Sequence, residues 1–172
     1  MKKQEDTGGL ARSERRRRMR TFSAVLLRLA LGLSFLSAVA DRFGWWGSFG
    51  QRNVAWGSFA RFVAYTARLN WFLPQAMIPP LAVLATCVEL LLGLLLVVGW
   101  QTRIAAACSG ILLITFGLSM TAALGLEAPL SFSVFSAAGG SLLLATCSSF
   151  PYSVDELLGR AATLPEGGRR LA

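Results

Sequence analysis

Two formally charged residues, Arg28 and Glu89, stand well inside apolar stretches of this 172-residue chain. A charge near the centre of a membrane-crossing helix costs at least about 2.5–3.5 kcal/mol, so each needs a partner or a purpose. At a helical rise of about 1.5 Å per residue, Arg28 lies roughly 9 Å past Phe22 and Glu89 roughly 15 Å before Gly99. An arginine can span the difference. Side chains lean toward the N-terminus of their own helix, however, and on antiparallel helices these two lean apart. Arg28 could instead snorkel to the headgroups, leaving Glu89 alone at depth. Ser34, Thr115 and Ser141 fall near the level of Glu89, so the expectation is one polar layer across the middle of a bundle. Three readings of that layer stay open. It ties helices together; it lines a pocket for a quinone, a lipid or another small amphiphile; or it marks a transport pathway, for which one carboxylate is thin material.

Missing residue types narrow the chemistry. The chain has no histidine, which excludes bis-histidine haem ligation, histidine metal sites and a histidine general base. Cys87, Cys108 and Cys147 form no Cys-x-x-Cys pair and read as small hydrophobes. No metal site is expected and no cofactor is required; a quinone is the candidate. Any redox chemistry would need a bound organic cofactor or a partner protein, so an autonomous enzyme is not the expectation.

The elements that must position these residues are helices in a bilayer. Hydrophobic residues make up 54% of the chain and charged ones 15%, against about 25% charged in soluble domains. From Asn70 to Val154 only Glu89, Arg103 and Glu127 are charged. A span needs about 20 mostly apolar residues. Four stretches qualify, at about 22–40, 81–99, 104–125 and 130–150. The expected architecture is an all-α, integral membrane four-helix bundle over residues 21–151. A basic arm (1–20) precedes it, an outer loop fills 41–80, and a tail (152–172) follows. Short turns between the later spans make them antiparallel neighbours.

Small residues mark the faces on which lipid-embedded helices meet. Gly32, Gly93, Gly110, Ala137 and Gly140 are the candidate packing positions. The fourth stretch also repeats Ser133, Ala137, Ser141, Ala145 and Ser149 every fourth residue. One stripe left over would serve a homo-oligomer.

The segment Phe43–Phe72 holds ten of the eighteen aromatic residues, a composition suited to a membrane interface. Within it Phe59, Phe62, Val63, Thr66 and Leu69 share a helical face that excludes Arg61 and Arg68. This predicts an amphipathic helix lying on the outer surface, with Ser58 at its start and Asn70 at its end. A substrate-recognition cap is the sharper alternative. Ser153 and Glu156 have capping-box spacing, so a short helix is expected in the tail. With four spans, twelve Lys and Arg residues fall on the side of the termini and four on the other. The positive-inside rule then places both termini in the cytoplasm. The run Arg15–Arg18 is accordingly a topogenic signal, with anionic lipid contact compatible and no nucleic-acid partner expected. A cleavable signal peptide ending at Ala38-Val39-Ala40 is the rival reading of the first stretch.

Several of these residues form ordered motifs. Arg28-Leu29-Ala30-Leu31-Gly32 followed by Phe35 resembles the first-span motif of the DoxX family. Glu89, Gly93, Gly99, Thr102 and Arg103, as E-x3-G-x5-G-x2-T-R, are similar to its second-span signature. Tyr152-Ser153-Val154-Asp155 resembles the motif after its last helix. Val39 stands where the family often has glycine, Arg42 where it often has lysine, and the long aromatic loop is not general. The resemblance implies a four-span bacterial inner-membrane bundle and disfavours the cleaved signal. It further implies an accessory subunit or anchor of a quinone-linked or thiol-linked redox complex, working with a soluble oxidoreductase. The alternative is a structural or assembly factor without ligand, and small-solute transport comes third. Native mass spectrometry of the purified protein separates the readings of the first stretch. The intact chain mass is expected; a chain starting at Asp41 would replace four spans with three.

Overall fold

The structure, a computed structural model, describes the backbone of residues 2–162 and the side chains of residues 12–159. The earlier arm side chains and the tail beyond residue 162 lie outside the described residues. Among the described residues seven α-helices follow one another, with a 3-10 turn at Gln75–Met77 before the third: α1 Lys2–Arg42, α2 Phe59–Leu69, α3 Ile78–Val98, α4 Thr102–Leu124, α5 Glu127–Ser131, α6 Val134–Ala145 and α7 Val154–Ala162. No strand occurs among the described residues.

Helices α1, α3, α4 and α6 form the bundle, α1 lying against α3 and α4 against α6. Three of the four, α1, α3 and α4, are long and apolar enough to cross a membrane. Their common core gathers Leu31, Phe35, Leu92, Leu96, Ala105, Ala106 and Leu144. Outward faces carry Leu84, Leu91, Leu94, Ile111 and Leu118, each about half exposed or more. That inversion is the mark of a bundle whose solvent is lipid.

The five packing residues all lie where helices meet. Gly32 and Gly93 face each other, and a Cβ built on Gly32 would come 3.0 Å from the Gly93 carbonyl oxygen. Gly110 receives Leu142, Gly140 lies against Leu27, and Ala137 packs on the core cluster. The extended four-residue stripe does not hold throughout. Ser141 is buried, but Ser133 and Ser149 are exposed.

The fourth apolar stretch is broken where one continuous helix was expected. Ser133 takes a left-handed conformation, φ 55°, and separates α5 from a twelve-residue α6. Helix α6 ends at Ala145, short of Phe150, and at about 1.5 Å per residue it covers only about 18 Å. Elsewhere the helix ends follow local chemistry. α1 closes through a Schellman motif: Trp45 N–H donates to Ala40 and Gly44 N–H to Asp41, with Gly44 at φ 75°. Ser58 precedes α2 in extended backbone without a side-chain cap bond, and Asn70 ends it by donating its N–H to Thr66. Phe62, Thr66 and Leu69 of α2 are buried while Arg61 and Arg68 stay exposed, as the amphipathic pattern predicts.

Substituting Gly93→Leu is expected to lower the thermal unfolding midpoint in detergent. The new side chain would push into Leu36 and the Gly32 carbonyl, an overpacking cost of about 1–3 kcal/mol or more. Gly139→Leu, where no neighbouring described residue comes within 4 Å of an added Cβ, is the control expected to leave the midpoint unchanged.

Candidate functional site

Arg42 closes α1 and points into the bundle rather than out to the surface, with only 2% of its area exposed. Its Nη2 donates to both oxygens of Glu89 at 2.7 Å, and its Nη1 donates to Thr86 Oγ1 at 2.8 Å. Thr86 donates its own hydroxyl hydrogen bond to the Ala82 carbonyl, one turn back on α3. Thr86 and Glu89 are three residues apart, so a single face of α3 receives the whole guanidinium edge. The Phe62 ring of α2 covers the cation at 3.7 Å from its centroid, and Trp56 stands 5.4 Å away. Aromatic faces attract a desolvated cation, so the roof stabilises the charge that it seals off.

The neighbouring residue organises the loop between α1 and α2. Asp41 Oδ2 accepts the backbone N–H groups of Ala55 and Trp56, at 3.2 and 2.8 Å. This bond holds Trp56 beside Arg42. Trp46 Nε1–H donates to the Ser37 carbonyl and pins the other side of the loop to α1. Arg61 covers Phe49 in the same cap, at 3.8 Å.

A second buried arginine works at the opposite end. Arg28 Nη2 donates to the Tyr152 carbonyl, while its Nε and Nη1 are buried without a hydrogen-bond partner among the described residues. Gly99, left-handed at φ 75°, ends α3 beside it, and a Cβ there would strike Arg28 Nη1 and Ser153. Asp155 of α7 accepts the N–H groups of Gln101 and Thr102, at 2.7 and 2.8 Å, and so caps α4 from a distant part of the chain. Its own N–H donates to the Gly99 carbonyl. The capping box of α7 forms in a shifted version: Ser153 Oγ accepts the Glu156 N–H, and Glu156 returns its carboxylate to the Tyr152 N–H.

The structure does not bring the five candidate ligand residues into one pocket. Arg28 and Glu89 are both buried but engage different partners, because their side chains lean toward opposite ends of the bundle. Ser34 and Thr115 are exposed on the outer faces, and Ser141 is enclosed. The hydroxyls of Thr115 and Ser141 donate to carbonyls four residues back, Ile111 and Ala137, within their own helices. A hydroxyl satisfied in this way needs no cross-helix partner, so no connected polar layer results. Arg42, Asp41, Thr86, Trp56 and Phe62 replace it. The span bound at about residue 40 leaves Arg42 in the outer loop. The available signals were the Thr86–Glu89 spacing and a basic residue at the position where the resembled family often has lysine.

Among the described residues no group of three Cys, Asp or Glu side chains is placed to hold a metal ion. Cys87, Cys108 and Cys147 are free thiols. No curated protein and no solved structure matches the chain. The DoxX family model matches residues 23–123, more than half of the chain, and takes in Arg28, Arg42, Glu89, Gly99 and Thr102. The chain therefore belongs to the DoxX family, as a membrane protein.

Proposed function

We propose that this chain is an accessory subunit or anchor in the bacterial cytoplasmic membrane, serving a redox- or quinone-linked complex alongside a soluble oxidoreductase. The observation that carries the reading is the state of Glu89. Both of its oxygens are held by Arg42, and the pair lies under Phe62. A carboxylate so engaged must break its ion pair before it can move a proton or meet a ligand. Its role is mechanical: it fastens the aromatic outer cap to the membrane bundle, giving a partner a rigid platform. The redox and quinone part rests on the likeness of the Arg28–Gly32 and Glu89–Arg103 motifs to those of the family. A quinone or lipid meets this bundle from the lipid side, where Ser34 and Thr115 are exposed.

In this reading α5 and α6 together make the fourth crossing, and both termini are cytoplasmic by the excess of Lys and Arg on their side. The basic arm then lies against anionic headgroups. The cap lies on the opposite face, where its tryptophans suit the interface.

Glu89→Gln is expected to leave Arg42 buried without its counter-charge and to destabilise the fold by about 3–5 kcal/mol. The partner's quinone-linked activity should fall with it. A double variant, Arg42→Met with Glu89→Leu, removes both charges and is expected to recover both unfolding midpoint and activity. Recovery of the fold without activity would mean that Glu89 acts chemically. Membranes lacking this chain are expected to lose quinone reduction by the partner, and full activity in such membranes would exclude the accessory role.

A further inference from the structure

Beside the sealed ion pair, on the flank of α1, lies an open cleft of about 470 Å³. Ser34, Ser37 and Asp41 line it from the helix, and Trp46, Asn53 and Trp56 from the loop. Its volume falls within the usual range of small-molecule sites. Asp41 is the single charged residue of the lining and is 5% exposed. Its Oδ2 is occupied by the Ala55 and Trp56 amides, but Oδ1 is buried with no hydrogen-bond partner among the described residues. No described cation forms a salt bridge with it; the adjacent Arg42 is committed to Glu89. A carboxylate kept from water without a counter-charge is costly, and the cost falls when a cationic donor is supplied.

We propose that this cleft binds a primary ammonium group carried on an apolar chain. The carboxylate supplies charge, the two tryptophans supply the aromatic walls that favour ammonium ligands, and Ser34, Ser37 and Asn53 offer polar groups for the remaining N–H donors. Leu33, on the lining and 56% exposed, continues the cleft along α1 as an apolar wall for the chain. An uncharged hydroxyl could hydrogen-bond to Oδ1 yet leave its charge uncompensated, so the site discriminates by charge. An aminophospholipid headgroup and a free alkylamine share this chemistry. The cleft adjoins the Glu89 pair and shares Trp56 with its roof, but the proposal rests on Asp41 and not on the accessory role.

The test uses the full chain in a neutral detergent, with tryptophan fluorescence titrated by hexylammonium, hexanol and hexyl glucoside. Native mass spectra after addition of short-chain phosphatidylethanolamine or phosphatidylglycerol complete it. Saturable binding of hexylammonium or phosphatidylethanolamine, but not of the neutral or anionic probes, is expected. Asp41→Asn, which keeps an acceptor for the two amides, should weaken that binding at least about tenfold, 1.4 kcal/mol by the standard conversion. Should Asp41→Asn fail to fold, Ser34→Leu fills the cleft from an exposed position and is expected to abolish binding. Phosphatidylethanolamine retained and displaced by hexylammonium identifies the source as lipid; hexylammonium binding alone identifies a free amine. Equal binding of hexanol or hexyl glucoside, no saturable response to either ammonium probe, or unchanged affinity in a folded variant would overturn the proposal.

Discussion

A charge inside a membrane bundle is costly unless it is paired, and the ion pair of Arg42 with Glu89 is the clearest local consequence of that constraint. Burying either group alone would cost several kcal/mol, of the order of about 3–5 once its partner is removed. Together they form an ion pair in which Arg42 Nη2 donates to both Glu89 oxygens at 2.7 Å. Thr86 takes one remaining donor, and Phe62 shields the rest of the cation. The position of α2 follows from this arrangement. Its buried face, Phe62, Thr66 and Leu69, rests over the mouth of the bundle where the guanidinium needs cover. Trp56 is brought there by the Asp41 bond, so consecutive residues of α1 hold the bundle and the loop at once.

The opposite end uses the same economy of charge for a different purpose. Asp155 satisfies two helix-start N–H groups of α4, and Arg28 bonds the carbonyl of Tyr152, fixing the chain after α6. Gly99 is required between them for two reasons. Its φ of 75° is costly for a side chain, and the space a Cβ would occupy belongs to Arg28 and Ser153. The motif residues that carry the DoxX likeness therefore have architectural tasks. Gly32 and Gly93 permit close approach of α1 and α3, Gly99 and Asp155 build the turn into α4, and Glu89 anchors the cap.

Polar side chains along the spans divide by what their helix can do for them. Thr86, Ser109, Thr115, Thr121 and Ser141 each return their hydroxyl to the carbonyl of the preceding turn. They can therefore face lipid or core without requiring one another. Carboxylates and guanidinium groups have no such local remedy. Glu89 and Arg42 find each other across helices, and Asp155 finds a helix terminus. Asp41 retains one oxygen without a partner among the described residues, in a cleft open beside α1.

Periodicity and composition were enough to determine the membrane bundle, the long apolar helices, the amphipathic α2 and the small residues at the helix contacts. These depend on spacing along one chain, through the 3.6-residue repeat and the steric need for small side chains in close packing. The break at Ser133 was not legible, because a left-handed residue between two apolar runs leaves hydropathy unchanged. Glu89's choice of Arg42 over Arg28 belongs to the tertiary structure, although a local rule underlies it. Side chains lean toward their own helix N-terminus, so Arg28 and Glu89 diverge on antiparallel helices while Arg42 and Glu89 converge. Depth counted along the chain treats a residue as a point at its Cα and misses that reach. The direction of an arginine six bonds long, and the ring that covers it, are settled only when α1, α2 and α3 are assembled.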